Sequence, residues 1–151
     1  MGDITSFRGE YFFLSNFFLI DIWGGNRWYP SVEHAYVAQK SLNEEWREMI
    51  SKTPTPEEAK KLGRKVKLRA NWEDIKFSVM RYYVRQKFLF NPELCKKLMD
   101  TGDRKLVEGN TWGDTYWGVC NGKGENNLGK LLMEVRDEAN KYFSKQMLLF
   151  S

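Results

Sequence analysis

Residues 31–40, with the sequence Ser-Val-Glu-His-Ala-Tyr-Val-Ala-Gln-Lys, contain side chains whose types and spacing suit covalent chemistry. In a helix, Glu33, Tyr36 and Lys40 stand at positions i, i+3 and i+7 and therefore share one face. At roughly 1.5 Å per residue, Glu33 and Lys40 are about 10 Å apart along the axis, and their long side chains could converge on one sugar-sized ligand. A lysine that is shielded from water can lose its proton and attack a carbonyl carbon, while a nearby carboxylate transfers the protons. The alternative is a surface Glu and Lys on either side of a buried Tyr36, which spacing alone favours because such pairs are common on helices.

The histidine and cysteine content limits the other chemistries. The chain has one histidine, His34, and two cysteines, Cys95 and Cys120. A zinc site of the usual composition needs more of these residues. Neither cysteine has a histidine neighbour in sequence that would activate it as a nucleophile. We therefore predict a metal-independent protein without a cofactor, in which catalysis depends on carboxylates, lysines and the geometry of the bound substrate.

A second segment of interest, residues 109–129, is rich in glycine and asparagine and leads into a helical pattern. Glycines let backbone N–H groups approach a ligand closely, and the N-terminus of the following helix favours an anion. The segment lacks the Gly-Lys-Ser/Thr ending of a Walker A motif. Long loops are often functional, and a plain surface loop is the alternative. Trp112, Tyr116 and Trp117 would either pin this loop to the core or stack on a base.

Positive charge is concentrated between residues 60 and 105, where 14 Lys or Arg stand against 5 Asp or Glu, although the whole chain carries only +4. This balance indicates an anionic partner such as a phosphate or a nucleic acid, with solvated helix faces as the alternative. Within the segment, Arg64 would supply a guanidinium group that can bind phosphate through two hydrogen bonds, and Trp72 would supply an aromatic ring.

These residues must be positioned by a small set of elements. The turn Gly24-Gly25-Asn26 between two runs of β-formers predicts a hairpin. Helices are predicted from Ser31 to about Lys40, Thr55 to Gly63, Asn71 to about Leu89, Asn91 to Gly102 and Leu128 to Tyr142, with a short strand at 105–107 and a loop at 113–127. A chain of 151 residues with 10 Phe, 7 Tyr and 6 Trp fills one core. We therefore predict a mainly α fold, with residues 1–151 in a single compact domain that includes a small N-terminal β-hairpin.

The chain has no run of the roughly 20 apolar residues that a membrane-spanning helix needs. Its first ten residues lack the apolar core of a signal peptide. We therefore expect a cytoplasmic protein with no membrane partner, and the sequence leaves the oligomeric state open.

The chain resembles the NADAR, or YbiA-like, family in a series of motifs that runs nearly end to end. These motifs are Phe13-Leu-Ser-Asn-Phe17, Glu33-His-Ala-Tyr36 with Gln39-Lys40, Gly63-Arg64, Trp72, Met80 with Lys87-Phe88, Leu98, Thr101-Gly-Asp103, Leu106-Val-Glu108, Asp114, Trp117-Gly118, and Gly124-Glu-Asn126-Asn-Leu-Gly129 followed by Leu131-Leu-Met133-Glu-Val-Arg136. Each motif alone is weak, whereas eight or more in the family's order are specific.

The resemblance implies a mainly α fold and an N-glycosidase type of activity, which cleaves the bond between a ribosyl C1 and a nitrogen. Substrates described for the family include phosphorylated ribosylamino-pyrimidine intermediates of riboflavin synthesis, and ADP-ribose attached to guanine. The family-type mechanism places Lys40 as the group that attacks C1 through a Schiff base. Glu33 would stabilise the sugar cation or move protons, and Asp114 is a second carboxylate candidate. The resemblance further implies substrate-binding roles for Asn16, Tyr36, Arg64, Trp72, Trp117, Gly118 and Asn126.

Three classes of function follow from these observations. A purely structural interaction domain would explain the aromatic residues but not the repeated polar motifs, which leaves two classes to compare. The first is an N-glycosidase acting on a phosphorylated ribosyl or ADP-ribosyl small molecule, or on an ADP-ribosylated nucleic acid. The second is a non-catalytic module that binds ADP-ribose or nucleic acid through the basic segment. Such a module would show tight, salt-dependent binding without product formation.

Overall fold

The computed structural model describes the backbone of residues 2–150 and the side chains of residues 2–143. The elements, in chain order, are a 3-10 helix (Gly9–Leu14), β1 (Leu19–Trp23), β2 (Trp28–Ser31), α1 (Val32–Ala38), α2 (Glu44–Ser51), α3 (Pro56–Gly63), α4 (Trp72–Leu89), α5 (Pro92–Met99), β3 (Gly109–Asn110), β4 (Val119–Cys120) and α6 (Asn127–Phe150). The predicted mainly α class is confirmed, because the described strands form only two sheets of two strands each.

The internal contacts of the chain define two units, which are described in turn. The first, here called the hairpin unit, is Asn16–Lys87. The second, here called the loop unit, comprises Met1–Ser15 and Phe88–Ser151. Among the described residues, no helix is both long and apolar enough to span a bilayer.

The hairpin unit begins with the antiparallel pair β1 and β2, which confirms the predicted hairpin. The turn closes where the Gly24 N–H donates to the Arg27 carbonyl at 2.9 Å. Strand β2 leads directly into α1 through Ser31, whose hydroxyl accepts the His34 N–H at 3.1 Å. This N-cap satisfies one of the unpaired donors of the first turn and fixes where α1 starts.

Helix α1 is buried along its whole length, so its side chains must be satisfied inside the protein. Both ring nitrogens of His34 have hydrogen-bond partners. Its Nε2 lies 2.9 Å from the Thr53 carbonyl, and its Nδ1 lies 2.7 Å from the Ser31 hydroxyl. Since a carbonyl only accepts, Nε2 carries the proton in this contact. His34 therefore ties α1 to the segment between α2 and α3.

Helix α3 follows the predicted pattern closely. The Thr55 hydroxyl accepts the Glu58 N–H at 3.1 Å, Pro56 occupies the first turn, and Gly63 is the last residue of the helix. Proline suits the first turn because its missing N–H would have no partner there. Helix α2, in contrast, was not predicted, although Asn43 caps it by accepting the N–H groups of Glu45 and Trp46.

The loop unit contains α5, the parallel pair β3 and β4, and α6. Helix α5 ends at Met99, three residues before the predicted Gly102, which has φ +67°. The strand predicted at 105–107 is reduced to a single bridge between Leu106 and Ile4. The segment predicted as a loop at 113–127 includes the short strand β4. Two-residue strands depend on long-range partners, which a local pattern does not encode.

Candidate functional site

The ten predicted site residues fall into two groups, one in each unit. Six lie in the hairpin unit: Asn16, Glu33, Tyr36, Lys40, Arg64 and Trp72. Four lie in the loop unit: Asp114, Trp117, Gly118 and Asn126. Each group is connected by contacts within its own unit.

Lys40 follows the C-terminal end of α1 and is fixed by its backbone and its side chain. Its N–H donates to the Val37 carbonyl at 3.1 Å, and its carbonyl accepts the Arg69 N–H at 2.8 Å. Its half-buried side chain reaches α3, where Nζ donates to the Gly63 carbonyl at 3.2 Å. Nζ also lies 5.9 Å from the centre of the Tyr36 ring. The amine is therefore held at a defined point and does not sample solvent freely.

The electrostatic surroundings lower the pKa of the Lys40 amine below its ordinary value of 10.5. The largest cause is burial, which disfavours the charged form. Glu33 opposes burial by raising the pKa, and the cations Arg64, Lys60 and Lys76 lower it further. A lysine with a lowered pKa is partly neutral at a lower pH and is therefore a better nucleophile.

Glu33 lies in the first turn of α1 and is 9% exposed. Its N–H donates to the Asn16 carbonyl at 3.1 Å, which attaches the start of α1 to the segment before β1. Its negative charge acts on Lys40. A buried carboxylate and a half-buried amine therefore lie within electrostatic reach of each other. The helix predicted to about Lys40 ends at Ala38, so Lys40 lies in the turn that follows α1 and not on the helical face of Glu33 and Tyr36.

Tyr36 and Trp72 form an aromatic pair beside Lys40. Their ring centroids are 5.1 Å apart with an interplanar angle of 57°. Tyr36 is 7% exposed and Trp72 is 3% exposed, so the two rings form a wall with little free surface. Asn16 is also buried, and its side-chain amide donates to the Met80 sulfur at 3.4 Å.

The neighbours of Lys40 include residues that were not predicted individually. Lys60 lies 5.7 Å from the centre of the Phe17 ring, and Lys76 pairs with Glu73 at 2.6 Å. Gly63 provides the carbonyl that holds the Lys40 amine. The charge imbalance of the basic segment contained the signal for the two lysines. The role of Gly63 depends on the packing of α1 against α3 and has no local sequence signal beyond its motif.

In the loop unit, Asp114 organises a turn. Its Oδ1 accepts the N–H groups of Tyr116 at 3.1 Å and Trp117 at 2.9 Å. Its own N–H donates to the Asn110 side chain at 3.0 Å. This pattern is typical of an Asx turn, in which a short acidic side chain replaces a backbone acceptor. The observed contacts of Asp114 are thus structural, and its catalytic role stays a prediction.

Asn126 links three segments of the loop unit. Its Oδ1 accepts the Glu108 N–H at 2.9 Å, and its Nδ2 donates to the Leu106 carbonyl at 3.0 Å. Its N–H donates to the Gly118 carbonyl at 3.3 Å, and its φ is +55°. A side chain on Gly118 would collide with Glu108 and with Asn110. The close packing of these segments explains why residue 118 is glycine and why the Asn126 side chain makes both of its hydrogen bonds. The substrate-binding roles of Gly118 and Asn126 stay predictions.

The described side chains, residues 2–143, contain no group of three or more His, Cys, Asp or Glu placed to hold a metal ion. Cys95 and Cys120 are both free thiols. The chemical groups that the hairpin unit assembles around one point are thus an amine, a carboxylate, two aromatic rings and three cations. This set suits attack on an electrophilic carbon of an anionic ligand.

Comparison with known proteins shows to which family the chain is similar. Residues 6–140 match the NADAR domain. The chain is 47% identical over 117 residues to N-glycosidase YbiA of Shigella flexneri, covering 76% of this chain and 72% of that protein. It is 36% identical over 141 residues to a riboflavin biosynthesis protein of Vibrio vulnificus, covering 91% of this chain but 38% of that protein. The NMR structure of Escherichia coli YbiA matches with a TM-score of 0.81 and 40% identity, over 94% of this chain and 88% of that one.

Proposed function

Since the chain belongs to the NADAR domain family, we propose that it cleaves the C1–N bond of a phosphorylated ribosyl or ADP-ribosyl compound with Lys40 as the nucleophile. The broader class, a hydrolase of N-glycosyl bonds, follows from the similarity to N-glycosidases over most of their length. The observation that carries the proposal is the Lys40 amine, held 3.2 Å from the Gly63 carbonyl within the field of buried Glu33.

The proposed reaction begins when the leaving nitrogen takes up a proton and the C1–N bond breaks, which leaves positive charge on the sugar. The neutral Lys40 amine attacks C1. Opening of the sugar ring then transfers a proton to the ring oxygen and leaves a Schiff base between Nζ and C1. Water adds to this imine, and the aldehyde form of the sugar leaves as Lys40 is regenerated.

Glu33 has two proposed tasks in this sequence. As a carboxylate it stabilises the positive charge that develops at C1. As a proton carrier it protonates the leaving nitrogen and later activates water. We also propose Asp114 as a second catalytic carboxylate. Because Asp114 organises a turn, the activity of an Asp114 variant has to be compared with its stability.

The basic surroundings of Lys40 favour a substrate that carries phosphate. Arg64 is exposed at the end of α3, where it can reach an anion from solvent. Residues 60–87 of the hairpin unit contain ten Lys or Arg and two Asp or Glu. The name of the Vibrio relative favours a ribosylamino-pyrimidine phosphate as the small-molecule substrate.

We propose substrate contacts for the remaining predicted residues. The leaving base would contact Tyr36, Trp72 and Trp117, and the sugar or phosphate would contact Asn16, Gly118 and Asn126. We also propose a cytoplasmic location.

Product analysis with two substrates in parallel tests the proposal: a ribosylamino-pyrimidine phosphate and a DNA that carries ADP-ribosylated guanine. We expect release of the free base from at least one of them. K40A should abolish turnover, and E33Q should reduce it by about 10²–10⁴-fold, the usual contribution of a general acid or base. K52A, which removes a lysine with a 75% exposed side chain, is the matched control. Tight binding of either compound without any product would support a binding module instead.

Borohydride trapping tests the Schiff base separately. Reduction during turnover should leave a sugar adduct on Lys40, which peptide mass spectrometry locates. Turnover that requires Lys40 but leaves no adduct would favour direct attack by water.

A further inference from the structure

Gly63 lies where a side chain would crowd Val37 and contact the Lys40 amine. It is the buried last residue of α3. A Cβ atom at this position would lie 3.0 and 3.1 Å from the two methyl groups of Val37 and 3.4 Å from the Lys40 Nζ. Both neighbours belong to the segment that carries the proposed nucleophile. Val37 is 1% exposed and has little room to move.

The backbone of Gly63 gives no reason of its own for glycine. Its φ lies outside the left-handed region that other residues avoid. Alanine stabilises a helix relative to glycine, because glycine loses more conformational freedom on folding. An alanine here would therefore favour α3 itself. The requirement for a small residue at position 63 comes from the neighbouring side chains of Val37 and Lys40.

We propose that Gly63 is a positioning residue for Lys40, because its bare α-carbon and its carbonyl together fix the place of the attacking amine. This inference rests on the proposed role of Lys40. The last carbonyls of a helix lack partners within the helix and carry partial negative charge, so they attract an N–H donor. A neutral amine that donates one N–H to the Gly63 carbonyl directs its lone pair away from that carbonyl. The lone pair is then free to attack C1.

The position also explains how α1 and α3 act together. Lys40 lies two residues after the C-terminal end of α1, and Gly63 is the last residue of α3. The distance between Nζ and the Gly63 carbonyl is therefore set by how closely Val37 approaches α3. A methyl group at 63 would be in tight contact with Val37, which would have to give by about a few tenths of an ångström and would shift the end of α1 that precedes Lys40. Because misplacement by about 1 Å can reduce a rate by about 10²-fold, we expect this smaller shift to reduce it by about tenfold.

Trapping with ribose 5-phosphate and cyanoborohydride measures this positioning without knowledge of the natural leaving group. The amine condenses with the C1 aldehyde and releases water, and hydride reduces the iminium to a stable secondary amine. The variants are G63A, V37A, the double variant V37A/G63A, and K61A as the control on the exposed face of the same helix. Intact mass gives the adduct rate, and peptide mapping places it.

We expect G63A to label Lys40 at least tenfold more slowly than the unsubstituted chain. In V37A/G63A the removed methyl groups make room, so the rate should rise at least threefold above that of G63A. K61A should label at the normal rate. Turnover by G63A should fall in kcat, with KM within about twofold.

Labelling of G63A within twofold of the unsubstituted chain would overturn the inference. A slow G63A with a lowered Tm and no recovery in V37A/G63A would also overturn it, since Gly63 would then serve packing alone. If K40A retains full turnover, the proposed function fails on its own. The pH profile of Lys40 reductive methylation then decides about Gly63, and a profile that G63A leaves unchanged overturns the positioning role.

Discussion

The proton affinity of Lys40 is the sum of opposing influences that individual residues exert. Burial and the cations Arg64, Lys60 and Lys76 disfavour the ammonium form, and Glu33 favours it. Because the pKa of Lys40 is lowered from 10.5, the amine becomes neutral at a lower pH than a free lysine. The rate of an amine nucleophile rises with pH through this lowered pKa and is constant above it.

This balance predicts opposite effects for two substitutions. In E33Q the pKa of Lys40 should fall further, because the charge that raises it is lost. In K60A the pKa should rise toward 10.5, because a cation that lowers it is removed. Reductive methylation of Lys40 followed by mass spectrometry across pH 6–11 measures both shifts. Shifts of the same sign in the two variants would contradict the described charge arrangement.

His34 is the residue whose titration should control stability near neutral pH. Burial lowers its pKa below 6.5, because the charged ring is disfavoured inside the protein. Well above pH 6.5 the ring is neutral in both the folded and unfolded states. As the pH falls below 6.5, the unfolded state takes up a proton that the folded state resists, so the free energy of unfolding decreases.

We therefore expect the Tm to fall as the pH is lowered from 7.5 to 5. The free energy of unfolding should fall by at most about 1.4 kcal/mol per pH unit, the value for one proton. In H34Q the Tm at pH 7.5 should be lower, because the ring contacts with Ser31 and Thr53 are lost, and the pH dependence should be weaker. Thermal melts followed by circular dichroism check this, and equal pH dependence in both proteins would remove His34 as its origin.

At the scale of elements, α3 carries Lys60 and Gly63, and its C-cap is Arg64; all three act on Lys40. Its start is fixed by the Thr55 cap. T55A should lower the free energy of unfolding by about 0.5–2 kcal/mol, the usual value of such a cap. T55S keeps the hydroxyl and is the matched control. Urea unfolding measures both, and equal stability of T55A and T55S would exclude the cap as a stabilising contact.

The elements also show how far local sequence predicts this fold. The caps at Ser31 and Thr55 are local signals, and α1 and α3 begin where they indicate. Helix α2 has a similar signal in Asn43 followed by acidic residues, together with Trp46 and Ile50 at helical spacing, and these could have identified it. The pairing of β3 with β4 joins residues about ten positions apart through a loop, and no period in the sequence encodes it.

The same distinction between local signals and long-range contacts applies to the candidate site. Glu33 and Tyr36 lie on α1, as the spacing predicts, whereas Lys40 lies in the turn after α1, where helical spacing does not determine its position. The contacts of Lys40 with Gly63, and of Tyr36 with Trp72, join α1 to α3 and to the start of α4. Such contacts arise from tertiary packing, so the sequence indicated these residues one by one but not their contacts with each other.

At the scale of the whole molecule, a net charge of +4 conceals an uneven distribution. The cations that act on Lys40 should bind the phosphate of the substrate more than they assist the bond cleavage. The double variant K60A/R64A should therefore raise KM for a phosphorylated substrate about tenfold, equivalent to about 1.4 kcal/mol. The salt dependence of KM should weaken as well, since two charge pairs with phosphate are lost.

A second double variant, K52A/K61A, separates this local effect from net charge. It removes the same two positive charges, so both variants have a formal charge of +2 in place of +4. Lys52 pairs with Glu48 at 2.9 Å, and Lys61 is exposed on α3 one residue after Lys60, about 100° around the helix. Steady-state kinetics at 50 and 300 mM salt compare the two. Equal increases in KM would show that total charge attracts the substrate, whereas an increase confined to K60A/R64A places the phosphate beside Lys40.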